Sequence, residues 1–257
     1  MVYRQQSSAH TILVASGYLV LILFALTMVV PFIWMVSTSL KASGTEFAYP
    51  PQILPTEFNV ENYTRLFTLV PFARYFANTI TVTGFTVLGQ VIICSMAAYA
   101  FARLNFIGRD AIFVLFLATM MIPFQITLIP LYLIVFRFGW VNTYQGMIVP
   151  GISSAFGIFL LRQSFLSVPR DYQDAARIDG CHEFSIFFRI VAPLLTPAFA
   201  ALGIMIFIGN WNAFLGPLLV IQEKTMYTLP VALSLLRQDP RRGFDPGVLR
   251  LGLSLIH

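Results

Sequence analysis

The heptapeptide DAARIDG, Asp174 to Gly180, sets three charged side chains between two of the most hydrophobic stretches of the chain. Ser167 is placed to cap a helix, Pro169 suits its first turn, and Asp171 and Asp174 bring negative charge to the positive end of its dipole. Gly180 permits the left-handed turn that ends it. Ala175 and Ala176 give a small-residue surface that another protein can approach closely, with Asp174, Arg177 and Asp179 as charged handles at its edge. A solvated loop with a short helix fits the same features, and the residues by themselves leave both readings open.

A second group lies in GNWNAF, Gly209 to Phe214, where Asn210, Trp211 and Asn212 stand among apolar residues. Amides at membrane depth are costly unless they face a partner, a cavity or water, so they are candidates for a pathway. Amide hydrogen bonds beside the aromatic faces of Trp211 and Phe214 suit a sugar, whose hydroxyls need partners and whose C–H face stacks on rings. Interhelical packing, with the amides as glue and Trp211 near a membrane interface, is the alternative. Gln90 and Gln125 are lone polar residues in apolar runs, Pro123 and Pro130 are expected to kink one of those runs, and Pro193 and Pro197 to mark the start or a bend of another. The small residues Ser95, Ala97, Ala98, Ala100 and Ala102 allow close helix packing. His182 has no second ligand in sight, so no metal site is expected, and Cys94 and Cys181 fall at different depths and are not expected to pair.

Such groups need elements to hold them. Of 257 residues, 58% are hydrophobic and only 11% charged, and the mean hydropathy of +0.78 lies far outside the range of soluble domains. Five charge-free windows meet the roughly 20 residues that a helix needs to cross a bilayer. They run Thr11 to Leu40, Tyr75 to Ala102, Ala111 to Phe136, Phe138 to Leu161 and Ile190 to Gln222. None alternates as a barrel strand does. The first is too long for a cleaved leader and lacks a cleavage site. No His, Asp or Glu cluster lies within the windows, which argues against a membrane enzyme. The prediction is an all-α, polytopic helical bundle.

Short basic loops stay in the cytoplasm. Arg4 therefore starts the chain inside, residues 41–74 lie outside, 102–110 inside, 137–145 outside and 162–189 inside. That last loop carries four arginines and the heptapeptide.

The stretch DAARIDGCHEFSIFFRIVAPLLTPA resembles the EAA loop of binding-protein-dependent ABC importer permeases: an acidic residue, two alanines, Asp-Gly, and later Ile-x-Leu-Pro. Asp174, Ala175, Ala176, Asp179, Gly180, Ile190 and Pro193 match, while Cys181 stands for the usual alanine and Ala192 for the usual leucine. PFIWMVSTSLK, ENYTRLF with PFARYFANT, SMAAYAFARLNF, and GNWNAFLGPLLV followed by YTLPVAL are similar to the carbohydrate-importer branch, in particular the maltose-type second permease subunit. The likeness runs to around Leu236.

The resemblance implies a type I ABC importer permease (MetI-like) bundle in a prokaryotic cytoplasmic membrane, N-terminus inside. Its loop would be a coupling helix seated in a groove of an ATPase subunit, with Asp174, Ala175, Ala176, Arg177, Asp179, Gly180, Phe184 and Pro193 as coupling residues. Asn210, Trp211, Asn212 and Phe214 would lie near the translocation path. The implied partners are a second permease subunit, two ATPase subunits, an extracytoplasmic sugar-binding protein and membrane lipid, with no nucleic acid. The chain has no G-x-x-x-x-G-K-[ST] phosphate loop, so ATP and Mg are expected only in the partner ATPases, and no cofactor in this chain.

The family goes on to a sixth span. Here RQDPRRGFDPGVLRLGLSLIH, residues 237–257, has no apolar run of 18 residues. The expectation is therefore a permease domain over 1–236 and an atypical tail over 237–257, truncated or frameshifted. Two functions stand: a sugar-translocating subunit, favoured by the intact loop, and a permease-derived protein that lacks the last helix and does not translocate, favoured by the tail.

Overall fold

The computed structural model describes residues 8–41, 54–55 and 58–238, and every regular element among them is helical. Most of the 237–257 tail lies outside the described residues. The chain divides into two compact units, residues 1–71 with 233–257, and residues 72–232.

In the first unit, α1 (Ser8–Ser39) is apolar on every side and long enough to cross a bilayer. Its last turn is held by hydroxyls turned back on the backbone, Thr38 to the Trp34 carbonyl at 2.7 Å and Ser39 to that of Val36 at 2.7 Å. Ser39 also meets the Tyr63 hydroxyl of α2 (Glu61–Leu69) at 3.1 Å.

The second unit opens with α3 (Phe72–Arg103), an unbroken 32-residue helix that also meets the length and hydropathy of a span. It is followed by α4 (Arg109–Thr119), α5 (Phe124–Arg137), α6 (Tyr144–Ile148) with a 3-10 turn, α7 (Ala155–Ser167), α8 (Asp171–Ile178), α9 (Glu183–Ile186) with a π turn over Phe187–Val191, α10 (Ala192–Leu194), α11 (Thr196–Trp211) and α12 (Leu215–Val220). A 3-10 turn over Lys224–Met226 leads into α13 (Leu229–Gln238), which spans the boundary between the units.

Three of the five predicted spans are broken. The Ala111 to Phe136 window bends by 101° between α4 and α5, Phe138 to Leu161 by 44° between α6 and α7, and Ile190 to Gln222 by 81° between α10 and α11. Five crossings result only when each bent pair counts as one. Pro123 causes the first break, because it caps α5 and forces the residue before it out of helical geometry. Pro130 lies inside α5 without ending it. The third break is the bend expected at Pro193 and Pro197. Each proline sits in the opening turn of its helix, α10 and α11, and Leu195 between them leaves helical geometry.

The core of the second unit forms where α3 meets α7 and α11. Ala98 and Ala102, one turn apart on α3, are buried with Ile158, Leu161 and Phe165 of α7 and Leu202 of α11. The small run thus does what small residues do between membrane helices: it lets the backbones approach. Gly157 shows how close they come, since a Cβ there would lie 3.1 Å from the Cys94 sulfur.

Each end of this unit is tied by polar contacts. At one end Arg103, buried at the close of α3, donates from Nη2 to the carbonyls of Phe165 and Val168 at the C-terminus of α7. At the other, Asn78 donates to the carbonyls of Thr225 (2.9 Å) and Tyr227 (3.0 Å) and accepts from the Tyr144 hydroxyl (2.7 Å). There Asn142 adopts the left-handed conformation, and its side-chain oxygen accepts from the Gln222 and Glu223 amides.

Candidate functional site

α8 begins at Asp171 with Arg170 as its cap, not Ser167. Ser167 instead ends α7, where its hydroxyl donates back to the Ser164 carbonyl at 2.7 Å, and it lies three residues ahead of the position that caps α8. The acidic first turn is as predicted, with Asp171 and Asp174 near the helix start. At the other end Gly180 has φ +77°, the Cys181 amide donates to Ala176 O at 2.9 Å, and the Gly180 amide donates to Arg177 O at 3.0 Å. Those two bonds form a Schellman motif, which satisfies carbonyls that a frayed end would leave open.

The two alanines part ways. Ala176 (5% exposed) and Gln173 (2%) face inward, whereas Tyr172, Ala175, Ile178 and Asp179 face out. The small surface predicted for both alanines is therefore divided: Ala176 anchors α8 to its own chain, and Ala175 is the one left open. Ile178 is 87% exposed, and Phe184 and Pro193 are exposed too. The α8 helix therefore keeps apolar side chains, Tyr172, Ala175 and Ile178, on its solvent side.

The charged handles form a chain. Asp174 accepts from Arg177 Nη1 at 3.1 Å, Arg177 Nε donates to Glu183 Oε1 at 2.8 Å, and Glu183 Oε2 accepts from the Tyr99 hydroxyl at 2.8 Å. The bond to Glu183 holds the Arg177 guanidinium above its usual range despite partial burial. Gln173 donates to the same Tyr99 oxygen at 3.4 Å. Tyr99, Gln173, Glu183 and Arg103 were missed in the sequence. A carboxylate six positions after an arginine, across a glycine turn, was the available signal for Glu183.

The second group runs from the last turn of α11, with Asn210 and Trp211, through its cap Asn212 to Phe214, the residue that precedes α12. Asn210 and Phe214 line a cavity of about 450 Å³ together with Gly151, Gly209, Gly216 and Phe124. That volume falls within the range of small-molecule sites. The absence of a side chain at Gly151 lets its backbone pack on α3, since a Cβ there would lie 3.0 Å from Thr86 Cγ2. Asn210 Nδ2 donates to its own helix at Ile206 O, 3.0 Å away, and Asn212 Nδ2 does the same to Ile208 O at 2.9 Å. Trp211 and Asn212 do not line the cavity. Trp211 stacks on Phe207 (centroids 5.3 Å apart) and meets Phe76 edge-on (5.8 Å), and Asn212 is exposed. The four residues are thus brought to two different sides of one helix end.

An α-helical membrane unit with broken spans, carrying an outward-facing helix on a polar loop, is the architecture of a transporter subunit. The chain belongs to the family of binding-protein-dependent transport system inner membrane components, whose model matches residues 90–244. It is 38% identical over 210 residues, 81% of this chain and 73% of the relative, to the arabinooligosaccharides transport system permease protein AraQ of Bacillus subtilis. It is 30% identical over 248 residues, 96% of this chain and 82% of the relative, to the diacetylchitobiose uptake system permease protein NgcG of Streptomyces coelicolor. A crystal structure of a bacterial ABC transporter involved in the import of the acidic polysaccharide alginate shares the fold, with TM-score 0.84 over 98% of this chain and 93% of that one at 24% identity.

Proposed function

We propose that this chain is the translocating permease subunit of an ATP-driven importer that carries a sugar or oligosaccharide delivered by an extracytoplasmic binding protein. Relatives named for arabinooligosaccharides and diacetylchitobiose support the substrate class. The proposed assembly pairs this chain with a second permease and two ATPase subunits, which hold ATP and Mg. The N-terminus and the 162–189 loop face the cytoplasm. ATPase closure displaces α8 and rocks the bundle between two states, as coupling between distant sites requires.

One observation carries the reading. α8 is locked to its own chain on one face by Gln173 and Ala176 and closed by the turn at Gly180, while Tyr172, Ala175 and Ile178 are turned outward. In this scheme Asp174, Arg177, Asp179, Phe184 and Pro193 border the docking surface, and Asn210 and Phe214 contact the passing sugar. Trp211 and Asn212 stand beside it.

Co-expression with the partner permease and the ATPase tests docking. The ATPase is expected to co-purify with the native chain and with Gly180→Asn, since asparagine tolerates the left-handed turn. It is expected to be lost with Gly180→Lys, where a long side chain enters the docking surface and strains the turn. Equal recovery with both variants, or no recovery with the native chain, overturns the docking role.

A further inference from the structure

Glu183 occupies the first turn of α9, just beyond the glycine turn that closes α8. Both of its oxygens are taken, and by donors from different elements: Arg177 Nε of α8 at 2.8 Å and the Tyr99 hydroxyl of α3 at 2.8 Å. Tyr99 is itself fixed. Its ring meets Phe165 and Phe187 edge-on at centroid distances of 5.7 and 5.2 Å, and the side chain is 5% exposed. Gln173 of α8, also buried, donates to the same hydroxyl at 3.4 Å. The helix before the turn and the helix after it therefore converge on one atom of the longest helix in this unit.

Packing alone would hold α8 in place but would let it slide. A hydrogen bond to an ionised acceptor is short and directional, so a small displacement either breaks it or drags the donor along. The Arg177–Glu183 pair is about 40% exposed on each side and contributes little on its own. Its role is to orient the carboxylate, whose other oxygen reaches the buried phenol.

We propose that Glu183 is a positioning residue: its carboxylate ties α8 to Tyr99, so that movement of α8 passes directly into α3 and not only along the chain through the π turn into α11. This rests on α8 being the ATPase-docking helix.

The test uses the complete importer in proteoliposomes, with ATP hydrolysis and sugar uptake measured on the same preparation. Native chain, Glu183→Gln, Tyr99→Phe and the double variant are compared, together with ATPase co-purification for each. The single variants are expected to retain the ATPase and to lower uptake per ATP hydrolysed by at least about five-fold, the low end of allosteric coupling. The double variant is expected to be no worse than either single one, because both break the same link. A purely structural role would reduce the amount of assembled complex and leave uptake per ATP unchanged. An unchanged ratio with the ATPase bound overturns this inference and leaves docking intact. Failure of the native chain to hold the ATPase removes both. Tyr99→Phe, which deletes one oxygen and keeps the ring, reads the link even where Glu183→Gln lowers the yield.

Discussion

At Gly146 a methyl group has no room, since a Cβ would overlap the Trp140 carbonyl oxygen and press on Val220 at 3.0 Å. A backbone carbonyl cannot swing aside as the tip of a flexible side chain can. Gly146→Ala is therefore expected to destabilise by about 3 kcal/mol, the upper end of overpacking costs. Gly203, in the middle of α11, has nothing within 4 Å of its Cβ direction and makes the contrast. Gly203→Ala is expected to stabilise by about 0.5–1 kcal/mol through helix propensity. Thermal unfolding of the detergent-purified variants checks both, and opposite shifts are the expected outcome. Glycine at 180 was legible in the sequence because a charged helix followed by glycine has a known local ending. The pairing of Glu183 with Arg177 had a local signal, but the links of Glu183 to α3 and of Arg103 to α7 had none. Their partners Tyr99, Phe165 and Val168 lie far away in sequence, and only folding brings them within reach.

At the scale of elements, the apolar windows located the helices but not their breaks. Counting charge-free residues cannot distinguish one long helix from two short ones that meet at an angle. The prolines at 123, 193 and 197 carried that information only in part, because Pro130 and Pro31 lie inside helices that continue. The polar residues that hold broken segments in place are harder still to see. Asn78, in a stretch singled out only by resemblance, connects α3 to the Thr225–Tyr227 segment and to α6. Asn78→Asp preserves shape but turns an oxygen toward two carbonyls that now receive hydrogen bonds. An expected loss of about 2 kcal/mol follows from losing both hydrogen bonds and leaving the buried residue 78 side chain with an oxygen facing carbonyl oxygens. A lower unfolding midpoint, with new protease sensitivity at residues 225–227, is the result to look for; an unchanged midpoint would remove the hub role.

For the whole molecule, the two cysteines offer a native topology probe. Cys94 is buried and Cys181 exposed on the loop after α8. A membrane-impermeant maleimide is expected to label Cys181 in inside-out vesicles and not in intact cells, to leave Cys94 untouched in both, and to be blocked at Cys181 when the ATPase is bound. Labelling from the outer face would reverse the proposed orientation. The overall class, an all-helical membrane bundle with a polar loop, was legible because hydropathy records which solvent each segment meets. The cavity at Asn210 was only half legible, since its walls come from α5, α6 and the turn after it, α11 and α12, which are joined by geometry and not by order in the chain. The near-right-angle joint at Leu195 adds a mechanical advantage. With 16 residues, α11 is about 24 Å long, so a turn of about 10° at the joint swings its Asn210 end by about 4 Å. In the proposed mechanism the segment from α9 to α11 would act as a bell crank: a displacement of the α9 arm becomes a sideways sweep of the wall that carries Asn210.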